Sequence, residues 1–128
     1  MNQNKLKDIT LSLLNTFDEA GKLAQELRKK GLSEKIKNDN TPVTNGDIEI
    51  NKILTKKISE LTPDIPIVSE ETSENKEKKM ENFWLIDPID GTYDYINNKE
   101  EYTLNAALII DKKPIIGIIN APDKKRLF

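Results

Sequence analysis

The sequence predicts an α+β fold in which two helices pack on a mainly antiparallel sheet. Two long segments near the N-terminus place apolar residues at steps of three and four, which is typical of helices with one buried face. Shorter apolar runs follow them, separated by polar residues. Because the helices precede most of the strands instead of alternating with them, this order favours layered α+β packing.

The two predicted helices are marked by their apolar stripes and by their ends. The first ends in a basic turn followed by Gly31, and the second begins near Thr44, which has capping-box spacing to Asp47. Thr62 and Pro63 end the second helix, because the residue before a proline avoids the helical conformation. The expected buried positions are Leu6, Ile9, Leu13, Phe17, Ala20, Ala24 and Leu27, then Ile50, Ile53 or Leu54, Ile58 and Leu61.

Four strands are predicted in the rest of the chain. Their residues are mainly apolar, and a polar turn joins the last two. A charged segment without periodicity, residues 71–82, is predicted to be a solvated loop. The predicted strands cover residues 65–69, 83–86, 102–110 and 114–120.

Composition narrows the chemistry that the chain can perform. Its 128 residues are 33% charged and 36% hydrophobic, which is typical of one globular domain, and a net charge of −2 does not favour binding to a nucleic-acid polymer. Histidine and cysteine are absent, so a metal site must use oxygen ligands, which suit Mg²⁺, Mn²⁺ or Ca²⁺. The same absence excludes Ser-His-Asp hydrolysis, a phosphohistidine intermediate and a cysteine-phosphatase mechanism. No membrane span or signal-peptide core is evident, so the expected location is the cytoplasm.

The second predicted strand leads into a pair of acids. On a continuing strand Asp87 and Asp90 would face opposite ways. Pro88 is therefore expected to break the ladder, and a turn there would swing both carboxylates toward one point, where they could share or bridge metal ions.

The residues around this pair add phosphate-binding and metal-binding groups. Gly91 permits a close backbone approach, and Thr92 is predicted to open a short helix through Ile96, whose free N–H groups would face an anion. Glu70 and Glu71 lie just past the end of the preceding strand, and one of them could complete the metal shell.

These motifs resemble the inositol monophosphatase superfamily, the lithium-sensitive Mg²⁺-dependent phosphatases. The resemblance is carried by Val-Ser-Glu-Glu at residues 68–71 and by Trp-Leu-Ile-Asp-Pro-Ile-Asp-Gly-Thr at 84–92. Flanking matches, which look most like the CysQ-type 3'(2'),5'-bisphosphate nucleotidase branch, are residues 37–44, Asp47, 61–64, 101–105 and 117–122. Only the N-terminal half of the family pattern is matched. The resemblance thus implies that residues 1–128 are the metal- and phosphate-binding domain of a layered α/β sandwich.

The resemblance also implies a role for each matched residue. The implied metal ligands are Glu70, Asp87, Asp90 and the backbone carbonyl of Ile89. The implied substrate contacts are Glu70, Ile89, Asp90, Gly91 and Thr92. Thr92 and Asp47, alongside Glu70, are the implied catalytic residues that orient water. The implied reaction is hydrolysis of 3'-phosphoadenosine 5'-phosphate to AMP by water that two or three Mg²⁺ ions activate, with Mn²⁺ as a substitute.

Several alternatives stay open. Tyr93, Asp94 and Glu100 depart from the nucleotidase pattern, so inositol monophosphatase or sugar-bisphosphatase activity is the runner-up. A haloacid-dehalogenase-like phosphatase would space its acids by one residue, whereas two residues separate Asp87 and Asp90. A metal-binding module without activity is a third reading, because the family's C-terminal metal-binding aspartate is not matched. The expected partners are a small phosphorylated substrate and, through exposed strands, a second copy of the chain, with no nucleic-acid polymer.

Overall fold

A computed structural model of the protein describes residues 2–69 and 80–128. In these ranges the helices pack on a sheet as the sequence predicts, and the α+β class is confirmed. The helices are α1 (Gln3–Lys30), α2 (Asn45–Leu61) and α3 (Thr92–Ile96). The strands are β1 (Glu34–Ile36), β2 (Pro42–Thr44), β3 (Ile67–Ser69), β4 (Phe83–Asp90), β5 (Thr103–Ile110), β6 (Lys113–Ala121) and β7 (Arg126–Leu127). A single 3-10 turn, Pro122–Lys124, precedes β7.

Local sequence explains where the two long helices begin and end. Gly31 follows α1 with φ of 98°, a conformation that glycine adopts without strain. Thr44 caps α2 in a complete capping box with Asp47, because each side chain accepts from the other residue's backbone N–H. Thr62 follows the last turn of α2 and donates its N–H to Ile58. The predicted helix ends are thus confirmed to within one or two residues.

The main sheet has the strand order β3-β4-β5-β6-β7, and of its described pairings β3 with β4 is parallel and the others are antiparallel. Helices α1 and α2 cover one face of it, where Trp84 and Leu104 are fully buried. The opposite face, called the outer face below, exposes apolar side chains. Leu85, Ile115 and Ile119 there are 48%, 44% and 45% exposed.

Three features of the fold differ from the sequence prediction, and the smallest is the two-residue strand β7, which was not predicted. The hairpin of β1 and β2 was not predicted, because its strands have three residues each and β1 is exposed throughout, without apolar alternation. Strand β4 was predicted to end at Ile86 but continues to Asp90. Most of the predicted loop at 71–82 lies outside the described residues. Within the described ranges, no helix combines the length and the hydropathy that crossing a membrane requires.

Candidate functional site

A β-bulge near the end of β4 brings Asp87 and Asp90 to the same face of the sheet. Asp87 pairs with Asn105 and Asp90 with Thr103, so three residue steps on β4 oppose two on β5. Residues opposite each other in an antiparallel pair share a face, and Asn105 and Thr103 are two positions apart on one strand. Both acids therefore lie on the outer face, although the same spacing on a regular strand would put them on opposite faces.

The prediction for Pro88 is half right: the ladder of pairs is interrupted between Asp87 and Asp90, but by a bulge and not by a turn. The strand is not broken at Pro88 but runs on to Asp90. Proline has no N–H to donate, and it fits a bulge because the ladder is already interrupted there. Pro88 and Ile89 are both buried, and this consecutive burial is what a locally irregular strand produces.

Asp47, in the first turn of α2, is hydrogen-bonded to Thr92 at the start of α3. One carboxylate oxygen of the buried Asp47 accepts from the N–H and the hydroxyl of Thr44, at 2.8 and 2.7 Å. The other oxygen accepts from the Thr92 hydroxyl at 3.1 Å. The carbonyl oxygen of Ile89 lies 3.3 Å from the same hydroxyl. Since a hydroxyl has one proton and two lone pairs, Thr92 can donate to one of these acceptors and still accept a hydrogen bond from water.

Gly91 joins β4 to α3 in a conformation that demands glycine. Its φ is 85°, in the left-handed region. A Cβ at this position would lie 2.9 Å from the backbone carbonyl oxygen of Glu101, closer than such atoms normally approach. Glycine here therefore allows the chain to turn sharply from Asp90 into α3.

A cleft of about 330 Å³ is lined by the two acids of β4 and by Thr92, while Asp47 is not among its lining residues. One side of it comes from the β1–β2 hairpin, through Lys37, Asp39 and Thr41. The hydroxyl and N–H of Thr41 donate to Asp39, and these hydrogen bonds lower the pKa of its carboxyl. The end of β4 and the start of α3 line the cleft with Asp87, Ile89, Asp90, Gly91, Thr92 and Tyr93.

The cleft contains oxygen donors of the kind that bind a hard divalent cation. Asp87 and Asp90 present carboxylates on one face, and the Ile89 carbonyl has a second lone pair beyond the one that faces Thr92. Residues 2–69 and 80–128 contain no group of three or more acidic side chains close enough to hold a metal ion. The third predicted carboxylate ligand, Glu70, lies outside the described residues. The donors present fit Mg²⁺ in type, while the described ranges hold only part of its ligand set.

Arg28 of α1 contacts α3 and also forms a nearly buried ion pair with the 3-10 turn. The Arg28 guanidinium pairs with Asp123 and lies 5.4 and 4.9 Å from the ring centres of Tyr95 and Tyr102. Burial acts to raise the pKa of Asp123, but hydrogen bonds from Arg28 and its neighbours outweigh burial and hold that pKa below its usual value. Burial raises the pKa of Tyr95 to about 12. Because α3 has five residues, anchoring Tyr95 restrains the whole helix.

Asn51 lies beside this site and was not singled out from the sequence. It is one helical turn beyond Asp47, is buried, and accepts a hydrogen bond from the hydroxyl of Ser69 at 2.5 Å. The signal that could have revealed it is its position between Ile50 and Leu54 on α2. A polar residue among buried apolar positions needs a partner inside the protein.

The chain resembles known proteins in sequence. The sequence profile of the inositol monophosphatase family matches residues 6–128. Over 107 residues the chain is 36% identical to the 3'(2'),5'-bisphosphate nucleotidase CysQ of Haemophilus influenzae, and this match covers 81% of the chain and 40% of the nucleotidase. The chain therefore spans less than half the length of that relative.

Solved structures resemble the fold at lower sequence identity. The extragenic suppressor protein SuhB from Bartonella henselae matches with a TM-score of 0.84 and 21% identity, over 94% of this chain and 48% of its own. An IMPase/NADP phosphatase complexed with Mg²⁺ and phosphate matches with a TM-score of 0.79 and 22% identity, over 97% of this chain and 46% of its own. At these identities the likeness shows the fold alone.

Proposed function

The chain belongs to the inositol monophosphatase family, and from this premise we propose that the whole protein is a Mg²⁺-dependent phosphomonoesterase. Residues 1–128 would contribute its metal- and phosphate-binding part. The observation that carries the proposal is the bulge in β4, which puts Asp87 and Asp90 on one face beside the bonded pair Thr92 and Asp47. Two carboxylates presented on one face are a common arrangement for binding a divalent cation.

The metal-binding role falls to the acids at the end of β4. Asp87, Asp90 and the Ile89 carbonyl would hold the cation together with Glu70, as the family resemblance implies. Mg²⁺ bound there would supply positive charge for the phosphate and for the leaving oxygen. A relative in fold binds Mg²⁺ and phosphate, which supports this choice of ion.

The water-orienting role falls to Thr92 and Asp47. The buried Asp47 carboxylate aligns the Thr92 hydroxyl, so that the oxygen of Thr92 can accept a hydrogen bond from the attacking water. Gly91, through its left-handed conformation, lets the chain turn into α3, whose first N–H groups would face the phosphate. We expect direct attack of water on phosphorus, with no phosphoenzyme.

We propose the 3'-phosphate of a 3',5'-bisphosphate nucleotide as the substrate. The match to a bisphosphate nucleotidase at 36% identity supports this choice. Inositol 1-phosphate is the second candidate, because Tyr93, where the sequence departs from the nucleotidase pattern, lies in the wall of the cleft.

Substrate choice is tested by kcat/KM in the whole protein, since this ratio measures discrimination at the transition state. We expect kcat/KM to be about tenfold or more higher for 3'-phosphoadenosine 5'-phosphate than for inositol 1-phosphate. A preference for the inositol ester would overturn the nucleotidase assignment and leave the phosphatase assignment in place.

Metal binding is tested on the chain itself by titration with Mn²⁺. We expect Asp87→Asn to weaken Mn²⁺ binding by about tenfold or more, because a carboxylate ligand is lost. The matched control is Asp18→Asn, which removes the same charge from an exposed position on α1 and should leave the affinity unchanged. Equal affinity in the wild type and in Asp87→Asn would remove the proposed site.

A further inference from the structure

Helix α2 carries two buried polar side chains that bond to different sides of the candidate site. Asp47 bonds to Thr92 at 3.1 Å, and Asn51, one turn later, accepts from the hydroxyl of Ser69 at 2.5 Å. Asn51 is 2% exposed and Ser69 is fully buried. Buried polar groups are almost always hydrogen-bonded, and this bond lies where water has little access.

The partner of Asn51 lies next to a predicted metal ligand. Ser69 is the last residue of β3 and pairs in parallel register with Ile86 of β4. Ile86 directly precedes Asp87. The bond from Ser69 to Asn51 therefore fastens the end of β3 to α2 at the level where β4 presents Asp87.

Because α2 is a rigid element, the two hydrogen bonds fix the distance between the two sides of the site. Residues four apart on a helix lie on the same face, about 6 Å apart along its axis. Asp47 and Asn51 therefore hold two parts of the site at a fixed separation. Asp47 holds the part that contains Thr92, and Asn51 holds the part next to Asp87.

We propose that Asn51 is a positioning residue for divalent-cation binding, acting through Ser69 and the end of β3 on the placement of Asp87. This role rests on the proposed function, because it assumes that Asp87 binds a cation. Residues that hold metal ligands in position without binding the metal commonly change the metal affinity by about tenfold or more when they are replaced.

The test compares Mn²⁺ affinity in Asn51→Leu, Ser69→Ala and the double variant, by calorimetry and by the EPR signal of bound Mn²⁺. Each single variant should weaken binding by about tenfold, and in the double variant the two losses should be less than additive, because the bond between Ser69 and Asn51 is removed in all three. Ser69→Ala keeps the test valid if Asn51→Leu does not fold.

The control is Thr62→Val, which removes the buried bond from Trp84 Nε1 to Thr62 Oγ1, at 3.0 Å, next to the other end of α2. It should lower stability and leave Mn²⁺ affinity and the EPR signal unchanged. Wild-type affinity in Asn51→Leu and Ser69→Ala, or an equal loss in Thr62→Val, would overturn the role of Asn51 alone. A wild-type chain that binds no Mn²⁺ would overturn the proposed function, and this role with it.

Discussion

Gly46 and Tyr95 are in contact, and this contact sets the distance between α2 and α3. The effect of replacing Gly46 on stability follows from the distances around it. A Cβ added at Gly46 would lie 2.6 Å from the hydroxyl oxygen of Tyr95 and 2.8 Å from the ring carbon Cε2. The ring cannot easily move away, because Tyr95 is fully buried and its hydroxyl donates to the Ala24 carbonyl at 2.6 Å. Gly46→Ala should therefore strain the spacing between Asp47, the next residue, and α3.

The expected size follows from two opposing effects. Alanine is better than glycine in a helix by about 0.5–1 kcal/mol, whereas overpacking a filled core costs about 1–3 kcal/mol. We expect Gly46→Ala to lower the free energy of unfolding by about 1–2 kcal/mol, which corresponds to about 4–8 °C in Tm for a chain of this size. Tyr95→Phe removes the hydroxyl that makes the shortest contact and should by itself cost about 1 kcal/mol. In the double variant the two losses should be less than additive, with a coupling of about 1 kcal/mol.

Urea unfolding followed by fluorescence measures these changes, because Trp84 is the single tryptophan in the sequence and is fully buried. The matched control is Gly117→Ala, where an added Cβ would meet no atom within 4 Å. Stability in Gly46→Ala equal to that of the control, or strict additivity in the double variant, would refute the steric argument.

Three further results are expected. The pKa of Asp123 is lowered in the folded state, so its pairing with Arg28 stabilises the fold above about pH 4, and this contribution is lost as the pH falls through the folded-state pKa. Asp123→Asn should cost about 2–3 kcal/mol at pH 7 and flatten the acid limb of stability against pH, as measured by urea unfolding at several pH values; an unchanged limb would contradict this. Self-association through the outer face should decrease when Leu85 or Ile119 is replaced by lysine, as measured by light scattering. Scattering equal to that of the wild type would count against this interface. The chain alone should hydrolyse 3'-phosphoadenosine 5'-phosphate poorly with Mg²⁺, because its sequence does not match the family's C-terminal metal-binding aspartate. Strong turnover that is lost in Asp90→Asn would show the opposite.

The long helices could be predicted because their signals are local. The capping box of Thr44 and Asp47 lies within four residues, and Gly31 marks a helix end by its own conformational freedom. The hairpin was missed because three-residue exposed strands leave no apolar pattern.

The bulge in β4 could not be predicted from local sequence. Pro88 by itself indicates a break, and whether the ladder resumes depends on pairing with β5, which follows later in the chain. For the same reason the bond between Asp47 and Thr92, 45 residues apart, was expected only from the family resemblance. Asn51 was missed because its partner, Ser69, is 18 residues away.

The acids and the exposed apolar residues belong to one surface. Asp87 is opposite Asn105, which is opposite Ile119, so these three residues form a row across the outer face. Leu85, two residues before Asp87 on β4, shares that face. An element that covers the apolar part of this face, whether from a longer protein or from a second copy, would also approach Asp87. We therefore expect the cation ligands that residues 1–128 do not supply to come from the element that buries the outer face, so that cation affinity and burial of this face should rise together.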